Sequence, residues 1–216
     1  VKAEAFSLRG LHVYHMDECL DWQGQLLPAG HPYNFRSTME RVFYAGIDPD
    51  LAVPPEQRHF LTPANAEGIA EQIARAGIDI TLGGWGQDGH VAYNQARREP
   101  FSQVSVEELA DSGARVQYNS PDTLLALAQR TFGGAYQFVP PMSVTLGLRE
   151  CLSARKVRLF SDTGAWKQTA LRVALFGPVT AEYPITLLQR HPDAVLTATR
   201  ETAAHPVSQH AEWQLF

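Results

Sequence analysis

Ile78-Asp-Ile-Thr-Leu82 leads directly into Gly83-Gly-Trp-Gly-Gln-Asp-Gly-His90, and these two runs decide the fold. The first run is short, mostly apolar and rich in β-branched residues, which predicts a buried strand. The glycines of the second run can adopt positive φ angles and let the backbone approach a ligand closely. Open α/β sheets bind their ligands beyond the carboxyl ends of the strands. We therefore predict a ligand site at this point, with Asp88 and His90 as candidate acid–base groups.

Residues 84–89 also match the glycine fingerprint of dinucleotide-binding sites, G-x-G-x-x-G. That fingerprint requires a helix immediately after its third glycine and an acid about twenty residues later, at the end of a second strand. The acids at that distance are Glu107 and Glu108, but they follow Ser105 in a sequence typical of a helix capping box. Dinucleotide binding therefore stays the alternative interpretation of this segment.

The composition excludes several classes of protein. The chain has 216 residues, of which 44% are hydrophobic and 19% charged, as expected for one globular domain spanning residues 1–216. The net charge is -5 and no lysine or arginine run is present, so we expect no nucleic-acid partner. No apolar stretch approaches the roughly 20 residues of a membrane span, so we expect no membrane partner. The two cysteines, Cys19 and Cys151, suit neither a disulfide framework nor a metal site, which favours the reducing cytoplasm.

Predicted strands alternate with predicted helices along nearly the whole chain. Strands are expected at residues 11–16, 78–82, 116–118, 157–160 and 194–199, and helices at 34–43, 65–77, 120–132, 167–177 and 184–190. This alternation indicates an α/β fold with a mainly parallel open sheet and helices on both faces, doubly wound and Rossmann-like. Right-handed crossovers are expected to connect its parallel strands.

Two adjacent carboxylates follow the first predicted strand. The strand at 11–16 brings Asp17 and Glu18 to its C-terminal end, where they are candidates for acid–base catalysis. The alternative is that Asp17 caps the segment that follows, because aspartate is a common helix cap.

Lys167 lies in the first turn of a predicted helix that ends at Gly177-Pro178. The helix dipole disfavours a cation at that end by a few tenths of a kcal/mol. An anion bound by the free N–H groups of the first turn would remove this conflict. The alternative is a solvated lysine whose aliphatic stem covers apolar surface.

Three stretches together resemble one family. Tyr14-His-Met-Asp-Glu18, Gly83-Gly-x-Gly-x-Asp-Gly-His-x-Ala-x-Asn94 and the Lys167 helix are similar to the glucosamine-6-phosphate deaminase/isomerase family. Further matches lie at His31-Pro32, Thr145-x-Gly147 and Leu188-Gln-Arg-His-Pro192. The resemblance extends from about residue 11 to 199, and the fold is shared with 6-phosphogluconolactonases and with non-catalytic sugar-phosphate sensors.

The resemblance implies an enzyme that converts an amino-sugar 6-phosphate, glucosamine 6-phosphate or a close epimer, into fructose 6-phosphate and ammonia. It implies no metal and no organic cofactor. Asp17 matches the base that removes the proton from C2 of the opened sugar. His90 matches the acid–base group that opens the pyranose ring, and Asp88 matches the carboxylate that orients that imidazole and favours its charged form. A histidine suits this task because its ordinary pKa, about 6.5, lies near neutrality.

The resemblance also assigns the groups that hold the substrate, a small phosphorylated sugar. Lys167 matches a phosphate ligand, and Arg130 lies near the family's phosphate-binding arginine. Glu18, Gly83 and Gly84 are assigned to substrate binding. A homo-oligomer is compatible with the family.

Two features depart from the family pattern. Gln95, a predicted catalytic position, stands where deaminases carry a glutamate, and its amide can hydrogen-bond a histidine but cannot stabilise an imidazolium by charge. The family also has a strand and a phosphate-binding loop before the Asp17 strand, so we expect a further strand–helix unit upstream of Val1. A sugar-phosphate sensor and a lactonase are the rival functions, and neither requires a base at C2.

Overall fold

The computed structural model describes residues 6–95 and 103–210 of the chain. The strands in this part are β1 (Val13–Tyr14), β2 (Asp17–Leu20), β3 (Arg58–His59), β4 (Ile80–Gly83), β5 (Arg115–Tyr118), β6 (Met142–Thr145), β7 (Lys156–Ser161) and β8 (Ala194–Ala198). The α-helices are α1 (Phe35–Val42), α2 (Ala66–Ala76), α3 (Val106–Ala110), α4 (Pro121–Thr131), α5 (Leu148–Leu152), α6 (Gln168–Phe176), α7 (Arg200–Ala203) and α8 (Pro206–Gln209). The helix expected at 184–190 is a 3-10 helix, Pro184–Arg190.

Three strands form a parallel sheet in the order β4–β7–β8. Strands β1 and β3 form a second parallel pair. The strands predicted at 78–82, 157–160 and 194–199 correspond to β4, β7 and β8, with ends shifted by no more than two residues. The α/β class and the parallel pairing are therefore confirmed.

An antiparallel sheet in the order β2–β6–β5 is absent from the sequence-based prediction. The strand predicted at 116–118 is β5, and it is confirmed. Strands β2 and β6 were not predicted, since four residues are too few for an alternation of polar and apolar side chains to be recognised. The predicted strand at 11–16 is correspondingly wrong in its extent, because β1 ends at Tyr14. Asp17 and Glu18 begin β2 and lie opposite Thr145 and Val144 of β6.

The helices begin at the capping residues that the sequence indicates. Asn34 caps α1 through its side chain, and Ser105 and Glu108 form the reciprocal capping box of α3. Ser120 caps α4, with Pro121 at the first helical position. Side-chain caps satisfy N–H groups that have no partner within the helix. The predicted starts of these helices are therefore confirmed.

Buried apolar side chains attach the helices to the two main sheets. Helix α6 contributes Ala170, Leu171 and Ala174 to a cluster that also contains Val157 and Leu159 of β7. A second cluster joins α2 to β2 and β6 through Ile69, Ile73, Leu20 and Val144. Burying a side chain such as leucine or valine contributes about 1.5–3 kcal/mol. This packing holds the ends of β2 and β4, and the segments that follow them, in a fixed relation.

One face of the parallel sheet carries exposed apolar side chains in the described part of the chain. They are Ile80, Leu82, Phe160 and Val195, and each exposes at least 44% of its surface. Arg158 of β7 lies on the same face, between Leu82 and Val195. The single domain over residues 1–216 stays a prediction.

Candidate active site

The glycine-rich segment after β4 is a tight turn. The N–H of Gly89 donates to the carbonyl of Gly86 at 3.0 Å, and the N–H of Gly86 donates to the carbonyl of His90 at 2.9 Å. Gly89 has φ +78°, a conformation that favours glycine. The chain then forms an isolated bridge between Val91 and Asn94 rather than a helix. The dinucleotide interpretation is therefore wrong, because its fingerprint requires a helix after the third glycine.

The imidazole of His90 is fixed by its neighbours. A Cβ atom on Gly86 would overlap the imidazole ring, so only glycine fits at this position. On Tyr93 the ring stacks nearly parallel, with 5.7 Å between the centroids and 12° between the planes. The Tyr93 side chain is buried, and its hydroxyl lies 3.2 Å from the Cys19 sulfur. Gly86 and Tyr93 thus hold the ring in one orientation.

Asp88 and His90 form a close pair. The distance between His90 Nδ1 and Asp88 Oδ1 is 2.6 Å, and Asp88 is 3% exposed. Burial alone would raise the pKa of Asp88, but the charge and hydrogen bonds of His90 outweigh it and hold that pKa below its ordinary value. An ionised carboxylate only accepts hydrogen bonds, so Nδ1 carries a proton and donates it. The second nitrogen, Nε2, is then the one that can exchange a proton with a substrate.

Asp17 stands at the start of β2, within electrostatic reach of this pair. Its side chain is half-buried. Burial raises the pKa of Asp17, His90 lowers it and Glu18 raises it, and the net result is a pKa of about 7. A carboxylate of this kind can act as a base near neutral pH. Asp17 lies within a strand, so the alternative of a helix cap is wrong.

The Glu18 carboxylate is bound by backbone N–H groups. It is 4% exposed, and its carboxylate accepts the backbone N–H groups of Phe35 and Arg36 at 2.8 Å and that of Cys19 at 3.0 Å. Phe35 and Arg36 are the first residues of α1, where a negative charge is favoured by the helix dipole. Burial raises the pKa of Glu18, and these N–H donors partly oppose that increase. Its assignment to substrate binding stays a prediction.

Gln95 is tied to the start of α4. Its amide nitrogen donates to the hydroxyl of Thr123 at 2.8 Å, and its amide oxygen accepts the backbone N–H of Ser120. The described contacts include no hydrogen bond between Gln95 and His90. Ser120 connects the two indirectly, because its hydroxyl donates to the second oxygen of Asp88 at 3.3 Å. A catalytic role for Gln95 stays a prediction.

Sequence reasoning missed the positioning role of Ser120. Its place before a proline at the start of a helix indicates only a cap, and the cap is formed. The partner of its hydroxyl, Asp88, lies 32 residues earlier in the chain. No local pattern indicates that contact.

Lys167 lies near the other end of the glycine-rich segment. It ends a 3-10 turn, Gly164–Lys167, and precedes α6, so its predicted place in the first turn of an α-helix is wrong by one position. Its Nζ lies 4.0 Å from the position that a Cβ on Gly84 would occupy. Burial and the neighbouring charge of Arg130 lower the pKa of Lys167 to about 8, and Asp162 opposes this decrease. A partly buried ammonium next to a second cation favours a bound anion.

Arg130 approaches the same place from the last turn of α4. Its guanidinium carbon lies 4.0 Å from the centre of the Trp166 ring, and Nζ of Lys167 lies 5.0 Å from that centre. Gly84 leaves little space against β7, since a Cβ there would come within 3.2 Å of the carbonyl oxygen of Phe160. A Cβ on Gly83 would come within 3.2 Å of the Met16 sulfur. The structure thus brings Lys167 and Arg130 together beside Gly84, while their roles in binding stay predictions.

The described ranges, 6–95 and 103–210, offer neither a cluster of metal ligands nor a membrane-spanning helix. They contain no group of three or more His, Cys, Asp or Glu side chains that could hold a metal ion. They contain no helix that is long and apolar enough to cross a membrane.

Comparison with known proteins identifies relatives over most of the chain. Glucosamine-6-phosphate deaminase from Parabacteroides distasonis is 32% identical over 211 residues, which cover 94% of this chain and 70% of the relative. The enzyme of the same name from Shewanella loihica is 32% identical over 207 residues, with the same coverage. Human glucosamine-6-phosphate deaminase 1 is 31% identical over 202 residues, covering 90% of this chain and 63% of its own. No family model matches the chain.

Solved structures agree on the fold. A monomeric glucosamine-6-phosphate deaminase superposes with a TM-score of 0.74 at 24% identity, covering 94% of this chain and 78% of its own. The 6-phosphogluconolactonase from Trypanosoma cruzi superposes with a TM-score of 0.57 at 21% identity, covering 90% and 72%. At these identities the two structures establish the fold alone. The sequence relatives go further, and by them the chain belongs to the glucosamine-6-phosphate deaminase family.

Proposed function

We propose that this protein is an amino-sugar 6-phosphate deaminase. It converts glucosamine 6-phosphate, or a close epimer, and water into fructose 6-phosphate and ammonia. The observation that carries this proposal is the grouping of Asp17, whose pKa is raised to about 7, with the Asp88–His90 pair. An isomerisation at neutral pH needs such a base beside such an imidazole. The activity named for the relatives supports the same assignment.

His90 opens the sugar ring in this scheme. Nε2 takes the proton from the C1 hydroxyl and returns a proton to the ring oxygen, so the C1 aldehyde forms and the C5 hydroxyl is released. The imidazole of His90 is transiently protonated to imidazolium, and the buried Asp88 carboxylate, 2.6 Å from Nδ1, stabilises that positive charge. Gly86 and Tyr93 keep the imidazole in place throughout.

Asp17 then moves the proton that changes an aldose into a ketose. Its carboxylate removes the proton from C2, and the electron pair forms a C1–C2 double bond as the C1=O π bond breaks. O1 takes a proton from the substrate's ammonium group, and a neutral enolamine results. Protonated Asp17 returns its proton to C1 while the nitrogen lone pair forms a C2=N bond, which leaves a protonated imine at C2. Burial raises the basicity of Asp17, and this matches the carboxylate to proton transfer near pH 7.

Water completes the reaction. It adds to the imine carbon C2, and the C2–N bond breaks as ammonia leaves, which yields the ketone of fructose 6-phosphate. Each proton and electron pair is accounted for by the sugar, water and the two acid–base groups. No step needs an oxidant or a reductant.

The phosphate is held at the other end of the sugar. Lys167 and Arg130 supply two positive charges beside Gly84, and an arginine can bind two phosphate oxygens at once. Phosphate dianion favours the charged form of Lys167, so binding should proceed with proton uptake above pH about 8.

The two described cysteines are unpaired, which supports a reducing compartment such as the cytoplasm.

Ammonia release from a panel of sugars tests the proposal. We expect release from at least one of glucosamine, galactosamine and mannosamine 6-phosphates, and at least a hundredfold lower kcat/KM for the same sugar without phosphate. 6-Phosphogluconolactone hydrolysis serves as the comparison reaction. Lactone hydrolysis without ammonia release, or binding of these sugars without turnover, would replace the proposal by one of its rivals.

A further inference from the structure

Trp166 stands between the two cations of the anion-binding region. The guanidinium carbon of Arg130 lies 4.0 Å from the centre of its ring, and Nζ of Lys167 lies 5.0 Å from the same centre. An aromatic face attracts cations through its quadrupole within about 6 Å. Trp166 therefore provides one surface that both positive charges share.

Trp166 also carries a hydrogen-bond donor, the N–H group at Nε1 of its indole ring. Its Nε1 is buried, and it has no acceptor among the residues that the structure describes. The same is true of Trp85, which is 2% exposed and whose ring centre lies 5.7 Å from Nζ of Lys167. Buried donors are almost always paired, so each exception calls for an explanation. Here both exceptions border the same ammonium group.

The charge in this region is not balanced. Arg130 lowers the pKa of Lys167, as two neighbouring cations must, and Asp162 opposes that effect only in part. An anion with several oxygen atoms would complement two cations and an indole N–H at once. A phosphate monoester has this chemistry, since it combines a double negative charge with three strong acceptors.

We propose that Trp166 is the positioning residue of the phosphate site: its ring keeps Arg130 and Lys167 together, and its indole N–H donates to a phosphate oxygen. The inference rests on the phosphate pocket of the proposed function and adds a residue to it. Sequence reasoning gives no reason to select this tryptophan, because its contacts join Arg130 to a residue 36 positions later. The site then discriminates for phosphate through an aromatic donor as well as through charge.

Two substitutions separate the two contributions of Trp166. Trp166→Phe keeps an aromatic face and removes the N–H, whereas Trp166→Leu removes both. Trp22→Phe is the matched control, since it makes the same change at a tryptophan that is 78% exposed. All three proteins, and the wild type, are compared as full chains for their affinity for inorganic phosphate by titration calorimetry at pH 7.

We expect Trp166→Phe to weaken phosphate binding about tenfold, as for the loss of one hydrogen bond to a charged acceptor. Trp166→Leu should weaken it several-fold more, because the cations also lose the ring. Trp22→Phe should stay within twofold of the wild type. A phosphate affinity of Trp166→Phe within twofold of the wild type would overturn the role of the N–H.

Kinetics distinguish a positioning role from a merely structural one. For the phosphorylated amino sugar, Trp166→Phe should raise KM about tenfold and lower kcat by less than about threefold. A fall in kcat as large as the rise in KM, together with a lower melting temperature, would contradict the proposal and indicate general damage to the fold. Phosphate binding is measured without turnover, so the two proposals can fail separately. If the wild type has no deaminase activity but Trp166→Phe still weakens its phosphate binding, only the deaminase function is rejected.

If the wild type is active and its kinetics are unchanged by Trp166→Phe, only the role of Trp166 is rejected.

Discussion

The two ends of the candidate site differ in how their polar groups are satisfied. At the acid–base end, the Asp88 carboxylate bonds both His90 and Ser120, and a Gly86 backbone and a Tyr93 ring fix the imidazole. At the cationic end, Lys167 and Arg130 meet across an aromatic ring, and two buried indole N–H groups have no acceptor in the described part of the chain. The first end is complete by itself and the second is complementary to an anion. Under the proposed function, this difference means that the groups for proton transfer are already held in place by the protein, whereas the two cations need the substrate phosphate as their partner.

The largest expected effect is at Asp17. Asp17→Asn should lower kcat for ammonia release about 10²- to 10⁴-fold, the usual contribution of a general base. Phosphate affinity should change by less than about threefold, because the cationic end is untouched. Asp21→Asn is a suitable control, since Asp21 holds a surface turn through acceptor bonds that asparagine can also make. Equal losses in turnover and in phosphate binding would show that the two ends are not separate.

Gly86 tests the fixed geometry of the acid–base end. Gly86→Ala should lower kcat at least about a hundredfold, because its Cβ would displace the imidazole and an error of about 1 Å in a catalytic group has this cost. Gly68→Ala in α2 is the control, since nothing lies within 4 Å of the added Cβ. That control should leave kcat unchanged and stabilise the protein by about 0.5–1 kcal/mol in denaturant unfolding. A fully active Gly86→Ala protein would mean that His90 can leave its position without loss.

Lys167 is the reciprocal test at the cationic end. Lys167→Met should weaken inorganic phosphate binding about 10- to 100-fold, as for a lost charge-assisted contact, with a smaller effect on kcat. Lys156→Met is the matched control, because Lys156 is exposed on β7. Calorimetry and steady-state kinetics measure the two effects. A variant that lost kcat and kept its phosphate affinity would move Lys167 to the acid–base end.

The smallest effect is expected at Gln95. Gln95→Glu should change kcat/KM by less than about threefold, because the side chain bonds Ser120 and Thr123 and reaches Asp88 only through Ser120. Gln95→Leu loses both hydrogen bonds, so it should lower the free energy of unfolding by about 1–3 kcal/mol. A tenfold gain for Gln95→Glu on the cyclic sugar would instead show that a charge at this position acts on the imidazole.

The acid–base end was largely predictable because its signals are local. Gly86, Asp88 and His90 lie within five residues, and glycines around an acid and an imidazole after a buried strand indicate a ligand site from elementary chemistry. The proposed role of Asp17 could be predicted only from the family resemblance, since two adjacent carboxylates are by themselves also compatible with a helix cap. The structure then distinguishes Glu18 from Asp17, because the Glu18 carboxylate accepts backbone N–H groups at the start of α1.

The cationic end and the antiparallel sheet were less accessible to sequence reasoning. Trp166 contacts Arg130, which lies 36 residues earlier in the chain, and Gln95 contacts Ser120, which lies 25 residues later. No periodicity or motif spacing in the sequence indicates contacts at such separations. Strand β5 was predicted at 116–118, whereas β2 and β6 were not predicted, and the antiparallel pairing of these three strands is set by tertiary packing. By contrast β4, β7 and β8 were found, because buried parallel strands give apolar runs bounded by turns.

Exchange of the C2 proton of glucosamine 6-phosphate with solvent, followed by proton NMR, tests the central assignment most directly. The wild type should exchange this proton at a rate that rises with pH through about 7, because Asp17 acts as a base only when its carboxyl is ionised. Asp17→Asn should exchange it at least about a hundredfold more slowly at every pH. An Asp17→Asn protein that exchanged the proton at the wild-type rate would contradict the account, whatever its effect on ammonia release.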